Sequence, residues 1–449
     1  MEFAVLREEF RARFPEAGEP FVCRAPGRIN LLGEHLDYNG LPVLPMAIDR
    51  EVVLAFTGSP EPRVRLRNTD PRFPDADFDV VPDLQPSPPG AWDNYAKAAI
   101  AGLNAHFGIT EPPGLDVLVD GTLPSAAGLS SSSALVVASA LAYLAAAGYT
   151  LERDISRRDL ARILANAEHF VGTAGGGMDQ AILLNAEAGH ATKINFIPFQ
   201  FESLPIPDEA VFLVCDSMVR AEKSGDALLR YNAGPAVCSL ITNMINVHLA
   251  RAFGPEFAID CLGDLWFGPL CYTRNEVNQL LGEVIRAPRL DGPSIIRFLG
   301  MPADLVREYW LDSIPAEPEG IPLQARARHV VTEYYRVEEA RDALLAGDLK
   351  LFGRLMDGSH QSCRDDYAIS TPEVDALADA LREAGCLGAR LTGAGFGGAV
   401  IGLAPAKRAE AILEAVRERY YATRLRSGEA APAFVARASG AAGYWKGEG

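Results

Sequence analysis

The segment Pro124-Ser-Ala-Ala-Gly128-Leu129-Ser130-Ser131-Ser132-Ser133-Ala134, followed by the apolar run 135–147, restricts the fold more than any other feature of the chain. Serine is a poor interior helix former and a good cap, so four in succession mark a helix start. Gly128 lets the backbone turn tightly and approach a ligand. A helix that begins there presents unpaired N–H groups and the positive end of its dipole, which suits the oxygens of a polyphosphate. A single capping serine would need no ligand, but four of them after Pro-x-x-x-Gly-Leu are more than capping requires. The chain has no G-x-x-x-x-G-K-[ST], so such a site is not a P-loop.

Three further segments concentrate chemistry. Gly175-Gly-Gly177-Met178-Asp179-Gln180 sets an acid just beyond a turn that can bring backbone close to a substrate. Glu168 lies at the edge of the apolar stripe of a helix expected over 156–170, with Ser156 and Asp159 as its cap. A partly solvated carboxylate there suits Mg²⁺, which needs only one or two carboxylates beside phosphate oxygens and water. Arg24-Ala-Pro-Gly27-Arg28-Ile-Asn30-Leu-Leu-Gly33-Glu34-His35-Leu36-Asp37-Tyr38-Asn39-Gly40 packs hydrogen-bonding groups densely enough to read sugar hydroxyls. Taken alone, each of these also reads as solvated loop or helix-end charge. Gly393-Ala-Gly395-Phe-Gly397-Gly398 matches G-x-G-x-x-G formally, but an apolar strand rather than a helix follows it. It therefore reads as a close-packed glycine turn beside nucleotide phosphates and not as a Rossmann fingerprint.

Around these segments the chain reads as mixed α+β. Strands are expected at 52–56, 63–67, 115–119, 211–215, 389–392, 399–403 and 434–438, with a helix at 406–421 after Pro405. The Pro-punctuated stretch 205–207 is the candidate boundary between domains 1–206 and 207–449. A formal charge of −17 with no basic stripe argues against a nucleic-acid partner. The longest apolar run is too short to span a bilayer and the first residues carry acids where a signal peptide carries bases, so a cytoplasmic protein without membrane partners is expected. Seven cysteines without a C-x-x-C pair read as reduced residues in and around the core.

In this order, the segments 27–40, 124–133 and 391–398 resemble the galactokinase branch of the GHMP kinase superfamily. Asn68-Thr-Asp-Pro71, Trp92-Asp-Asn-Tyr95 and Ser359-His-Gln-Ser-Cys-Arg-Asp-Asp-Tyr367 extend the likeness over nearly the whole chain. The resemblance implies a two-domain α+β fold, with mixed and antiparallel sheets covered by helices and the active site in the interdomain cleft. It implies ATP and Mg²⁺, a monomer, and phosphoryl transfer to the anomeric hydroxyl of a galactose-like sugar. Asp179 would be the catalytic base, with Arg28 beside it. Glu34, His35, Asp37 and Gly176 would hold the sugar. Ala126, Ala127, Gly128, Leu129, Ser130, Ser131 and Ser132 would wrap the phosphates, Ser132 and Glu168 would hold Mg²⁺, and Trp92 and Tyr95 would wall the adenine pocket.

One departure bears on substrate. Galactokinases carry a sugar-contacting tyrosine in a Glu-Tyr-x-x-Arg-Arg context; here Tyr231-Asn-Ala-Gly-Pro235 keeps the tyrosine and loses the arginines. Other segments, such as Val43-Leu-Pro-Met46, are closest to the N-acetylgalactosamine kinase subgroup, which has phenylalanine at the tyrosine position. Galactose is therefore the expected substrate, with N-acetylgalactosamine kinase and a non-catalytic galactose/ATP sensor as alternatives.

Overall fold

The computed structural model describes residues 3–124, 127–172, 175–220, 226–426 and 428–445. In chain order its strands are β1 (Phe21–Leu32), β2 (Leu44–Ser59), β3 (Arg63–Asn68), β4 (Ala76–Asp79), β5 (Gly114–Gly121) and β6 (His190–Phe196). These are followed by β7 (Phe199–Pro205), β8 (Ala210–Asp216), β9 (Gly388–Leu391), β10 (Ala399–Pro405), β11 (Ala433–Ala436) and β12 (Gly443–Trp445). Each β-branched or apolar run expected as a strand overlaps one of them, because such side chains pack well on a pleated, half-buried surface; 389–392 runs one residue past β9 and 434–438 two past β11. The expected helix at 406–421 is broken into a 3₁₀ turn, the helix Ala409–Val416 and a π-turn over Arg417–Tyr421. The segment from Arg24, expected only as a Gly-rich run of polar groups, is mostly a buried strand: β1 continues to Leu32.

The chain divides into two compact units, Met1–Ile29 with Pro45–Thr192 and Ala436–Gly449, and Asn30–Leu44 with Lys193–Val435. The expected division at 206/207 falls between β7 and β8, inside the second unit. The short stretch Asn30–Leu44 is grouped with residues far along the chain, which no linear boundary could express.

The first unit is built on a six-stranded sheet of order β12-β1-β2-β5-β3-β4. β2 runs antiparallel to β5 while β3 runs parallel to it, so the sheet is mixed. α1 (Phe3–Arg13) lays Leu6 and Phe10 on Val22, Val53 and Leu118 of this sheet. α2 (Asn94–Phe107), α3 (Ser131–Ala146), α4 (Arg157–Ala167) and α5 (Met178–Asn185) pack on one another. α3 is apolar on all sides and buried from Ser133 to Leu144, as a helix enclosed within a domain must be. Each large aliphatic side chain it hides contributes about 1.5–3 kcal/mol.

The second unit holds the antiparallel sheet β11-β8-β10-β9, in which β10 pairs with both β8 and β9. α6 (Asp226–Ala252) and the helices Leu323–Leu345, Leu349–Asp365 and Pro372–Ala384 accompany it. Leu349–Asp365 approaches β9 so closely that a Cβ on Gly353 or Gly388 would overlap the facing backbone. Among the described residues no helix is long and apolar enough to cross a membrane. All seven cysteines are free, and Cys271 lies on the surface rather than near the core.

Candidate active site

In the first unit, the phosphate-type turn and the acid beyond the glycines meet. α3 starts at Ser131 as its serines require, but the residue before it does not cap. Ser130 stands in the left-handed region with φ of 62°, and its hydroxyl donates to Asp179 Oδ2 instead of accepting from a helix N–H. Gly177, with φ of 95°, opens α5 and places Asp179 in its first turn, where the helix dipole favours a carboxylate. Arg28 reaches both carboxylate oxygens, from Nε to Oδ1 at 2.7 Å and from Nη2 to Oδ2 at 3.1 Å. The Arg28 side chain is 7% exposed and that of Asp179 17%, so the pair is shielded from bulk water yet open at the acid. Arg28 is fixed in turn: Nη1 donates to the Gly128 carbonyl at 2.6 Å, and its own N–H donates to the Leu129 carbonyl at 3.1 Å. Gly27 permits that approach, since a Cβ there would press on Leu123 and stand 3.0 Å from the Leu129 oxygen.

Ser133, to which no role had been assigned, lies 3.3 Å from Asp179 Oδ2. Ser133 reaches it from the first turn of α3 and Ser130 from the left-handed residue before that helix, so helical spacing alone could not single out the pair. Ala127 and Leu129 are buried, so any ligand contact from them must come through backbone. Ala126 lies outside the described residues.

Ser132 and Glu168 come together around Tyr95. Burial pushes the Tyr95 phenol up, the nearby Glu168 carboxylate pushes the same way, and the Ser132 hydroxyl pulls it back. Glu168 itself opens the 3₁₀ turn Glu168–Val171 that ends the helix expected over 156–170, and Ser156 caps that helix by accepting from the Asp159 N–H. One carboxylate and one hydroxyl make a donor set that fits Mg²⁺. No cluster of three or more His, Cys, Asp or Glu suited to a metal occurs among the described residues, so a site built mainly from protein ligands is not present there. Trp92 is buried, donates to the Pro74 carbonyl at 2.8 Å and meets Phe73 edge-on, which makes it an anchor of the loop before α2.

In the second unit, the segment after β1 is stitched to the Gly-rich turn after β9. The Glu34 carboxylate accepts the Gly393 N–H at 2.8 Å and lies 3.4 Å from Arg390 Nη2; both side chains are almost wholly buried. Asn30 and Thr392 exchange bonds at 2.8 and 3.2 Å, and Arg390 Nη1 donates to the Asn30 carbonyl. His329 bridges the Ser362 hydroxyl and the Glu34 carbonyl. Glu34 therefore holds the glycine turn in addition to any ligand duty. Asp37 begins the 3₁₀ turn Asp37–Asn39, and Gly176 stands one residue before the start of the Gly177–α5 turn. His35 and Tyr231 line one cavity of about 240 Å³ with Arg326 and Phe396.

Comparison with known proteins gives the family. Residues 94–186 match the family model of the GHMP kinases N terminal domain, and residues 340–422 match that of the GHMP kinases C terminal. The fold is that of a GHMP kinase. Residues 8–57 match the galactokinase galactose-binding signature. The galactokinase of Chloroflexus aurantiacus is 34% identical over 407 residues, covering 89% of this chain and 87% of that one. The galactokinase of Dictyostelium discoideum is 30% identical and covers 93% and 87%. The crystal structure of Lactococcus lactis galactokinase complexed with galactose aligns with a TM-score of 0.76 at 26% identity, over 98% of this chain and 99% of that one. The chain belongs to the galactokinase family.

Proposed function

We propose that the chain transfers the γ-phosphoryl group of ATP to the anomeric hydroxyl of galactose. The observation that carries this reading is the two-pronged Arg28–Asp179 pair anchored to the first turn of the serine helix, in a chain related to galactokinases over most of its length. Asp179 takes the hydroxyl proton. Arg28 stabilises charge as the phosphoryl moves. The turn from Ala127 through Ser132 receives the phosphates, while Glu34, His35, Asp37, Gly176 and Tyr231 hold the sugar. Trp92 and Tyr95 bound the nucleotide site. Ser132 and Glu168 would hold Mg²⁺, which when bound neutralises charge on the phosphate oxygens.

An ADP-release assay with galactose, N-acetylgalactosamine, glucose and L-arabinose side by side tests the reading. Galactose should give the highest kcat/KM, because Tyr231 keeps the hydroxyl and a clash at C2 discriminates more strongly than one lost contact. A higher kcat/KM for N-acetylgalactosamine would reassign the substrate. Sugar binding without ADP release from any of the four would point to a sensor.

The metal-side residues carry a separate expectation. Glu168→Gln should sharply lower turnover while leaving galactose binding, measured by calorimetry without nucleotide, close to wild type. Equal loss of sugar affinity would remove Glu168 from the phosphate side of the site.

A further inference from the structure

His35 stands in the left-handed region with φ of 59°, a conformation a histidine keeps only when its surroundings hold it. Its ring stacks on Tyr367 with centroids 4.7 Å apart. Tyr367 also packs against His329 at 4.5 Å and under the Arg326 guanidinium at 5.4 Å. Within this stack runs a line of polar atoms. His35 Nδ1 is 2.9 Å from the Tyr38 hydroxyl, which is 2.6 Å from the Tyr367 hydroxyl, which is 3.4 Å from Cys238 Sγ. Asn39 Nδ2 donates to the same sulfur at 3.5 Å and to the His35 carbonyl at 2.8 Å. Gly234 of α6 leaves room for the line, since a Cβ there would stand 3.1 Å from both tyrosine hydroxyls. At the other end, His35 Nε2 is buried with no protein hydrogen-bond partner, on a residue that lines the cavity.

The protons of this line can be assigned. Burial pushes the Cys238 thiol and both phenols up, so all three keep their hydrogens. Burial, with the adjacent His329 and the Arg326 and Arg390 charges, pushes the His35 imidazole down to about 3, so the ring is neutral and carries one proton. If that proton were on Nδ1, both phenols would point toward sulfur, which would then receive Tyr367 and Asn39 together, and the thiol proton would have no acceptor along the line. With the direction reversed, Cys238 donates to Tyr367, Tyr367 to Tyr38, Tyr38 to Nδ1, and Asn39 to sulfur. Every hydrogen between Cys238 and Nδ1 is placed, and the strong phenol-to-imidazole contact replaces a phenol donating to sulfur, a weak acceptor.

We propose that Tyr38, Tyr367 and Cys238 are positioning residues that lock His35 in the Nε2–H tautomer, so that it meets a sugar oxygen as a hydrogen-bond donor. The sugar half of this statement rests on the function proposed above; the tautomer half does not. A buried donor without a partner is costly, and an acceptor oxygen of the ligand relieves that cost.

The test uses full-length protein labelled with ¹⁵N-histidine. Without ligand, wild-type His35 should show a protonated Nε2 and an Nδ1 resonance displaced by the hydrogen bond it accepts. Tyr38→Phe, which keeps the ring packing, should abolish that displacement and raise the galactose Kd about tenfold with kcat little changed. Tyr367→Phe should give the same signature in weaker form, and it carries the test if Tyr38→Phe does not fold. A protonated Nδ1 in the wild type overturns the proposal, as does a Tyr38→Phe protein with wild-type Nδ1 resonance and wild-type galactose Kd. Wild-type protein with the expected tautomer but no galactose binding would count against the sugar reading and leave the relay standing.

Discussion

Replacing Asp179 with asparagine is expected to lower kcat by ~10²–10⁴-fold with little change in galactose affinity. Phosphoryl transfer from ATP needs an in-line hydroxyl, neutralised charge on the γ-phosphate and an acceptor for the hydroxyl proton. An anomeric hydroxyl is more acidic than an ordinary alcohol, yet it stays protonated at neutral pH. Asp179 is the carboxylate that the Gly177 turn delivers to the serine helix, and Arg28, Ser130 and Ser133 all donate to it. Asparagine preserves the shape but cannot take the proton. Its amide also sets two hydrogens against a site whose neighbours already donate, so the side chain will turn its oxygen toward Arg28 and leave the serine hydroxyls to reorient. Arg28→Ala should lower kcat as well, since its charge acts mainly as the transition state forms. Kinetics separates this from the rival account, in which Asp179 only orients the sugar: an Asp179→Asn enzyme with wild-type kcat and a raised galactose KM would defeat the assignment of the base.

The features of this site that were legible in the sequence are those fixed by local backbone. Four serines after a glycine announce a helix start, and three glycines before an acid announce a turn that aims it; both hold in the structure. That the two would meet through Arg28 came from family resemblance, because positions 28 and 179 lie 151 residues apart and no periodicity links them. The strand β1 was hidden by its composition: Arg24, Pro26, Gly27, Arg28 and Asn30 interrupt an apolar run that the fold buries, and the two arginines find their partners only in tertiary structure. The same reason explains the domain boundary. Asn30–Leu44 clusters with the second unit through contacts to Glu333, His329, Arg390 and Thr392, some 300 or more residues further on, while a linear reading can only cut the chain once. The hydroxyl chain at His35 was invisible for that reason too. Tyr38 and Tyr367 were noticed as parts of motifs, but nothing in their separate surroundings says that their oxygens touch.

The largest stability effect is expected at Glu333. This glutamate is fully buried on the helix Leu323–Leu345; Oε1 accepts the Gly33 N–H at 2.9 Å and the Ser359 hydroxyl, and Oε2 accepts from Arg336 at 2.8 Å. Burial pushes its carboxyl up, but His329, Arg336, Arg390 and the Ser359 hydroxyl outweigh that and hold it at about 2. Burial keeps His329 itself on the neutral side, so the lasting charges are the two guanidinium groups. A carboxylate held below its ordinary 4.5 adds stability that is complete above that value and is lost as pH falls toward 2. Glu333→Gln removes the charge that faces Arg336 and Arg390, and its amide can satisfy donors on one oxygen only, while donors stand on both sides. Breaking a fully buried pair by removing one partner costs ~3–5 kcal/mol; with Arg336 21% exposed and Arg390 still 3.4 Å from Glu34, the loss should lie at the low end of that range. Urea unfolding should therefore show that loss in the transition of the second unit, and amide exchange along Leu323–Leu345 should accelerate. Between pH 4.5 and 2 the wild type should shed stability that the variant no longer has to lose, so the two curves converge as the medium becomes more acid. Parallel curves across that interval would mean that Glu333 is not the group whose charge holds Gly33, at the end of β1, in place.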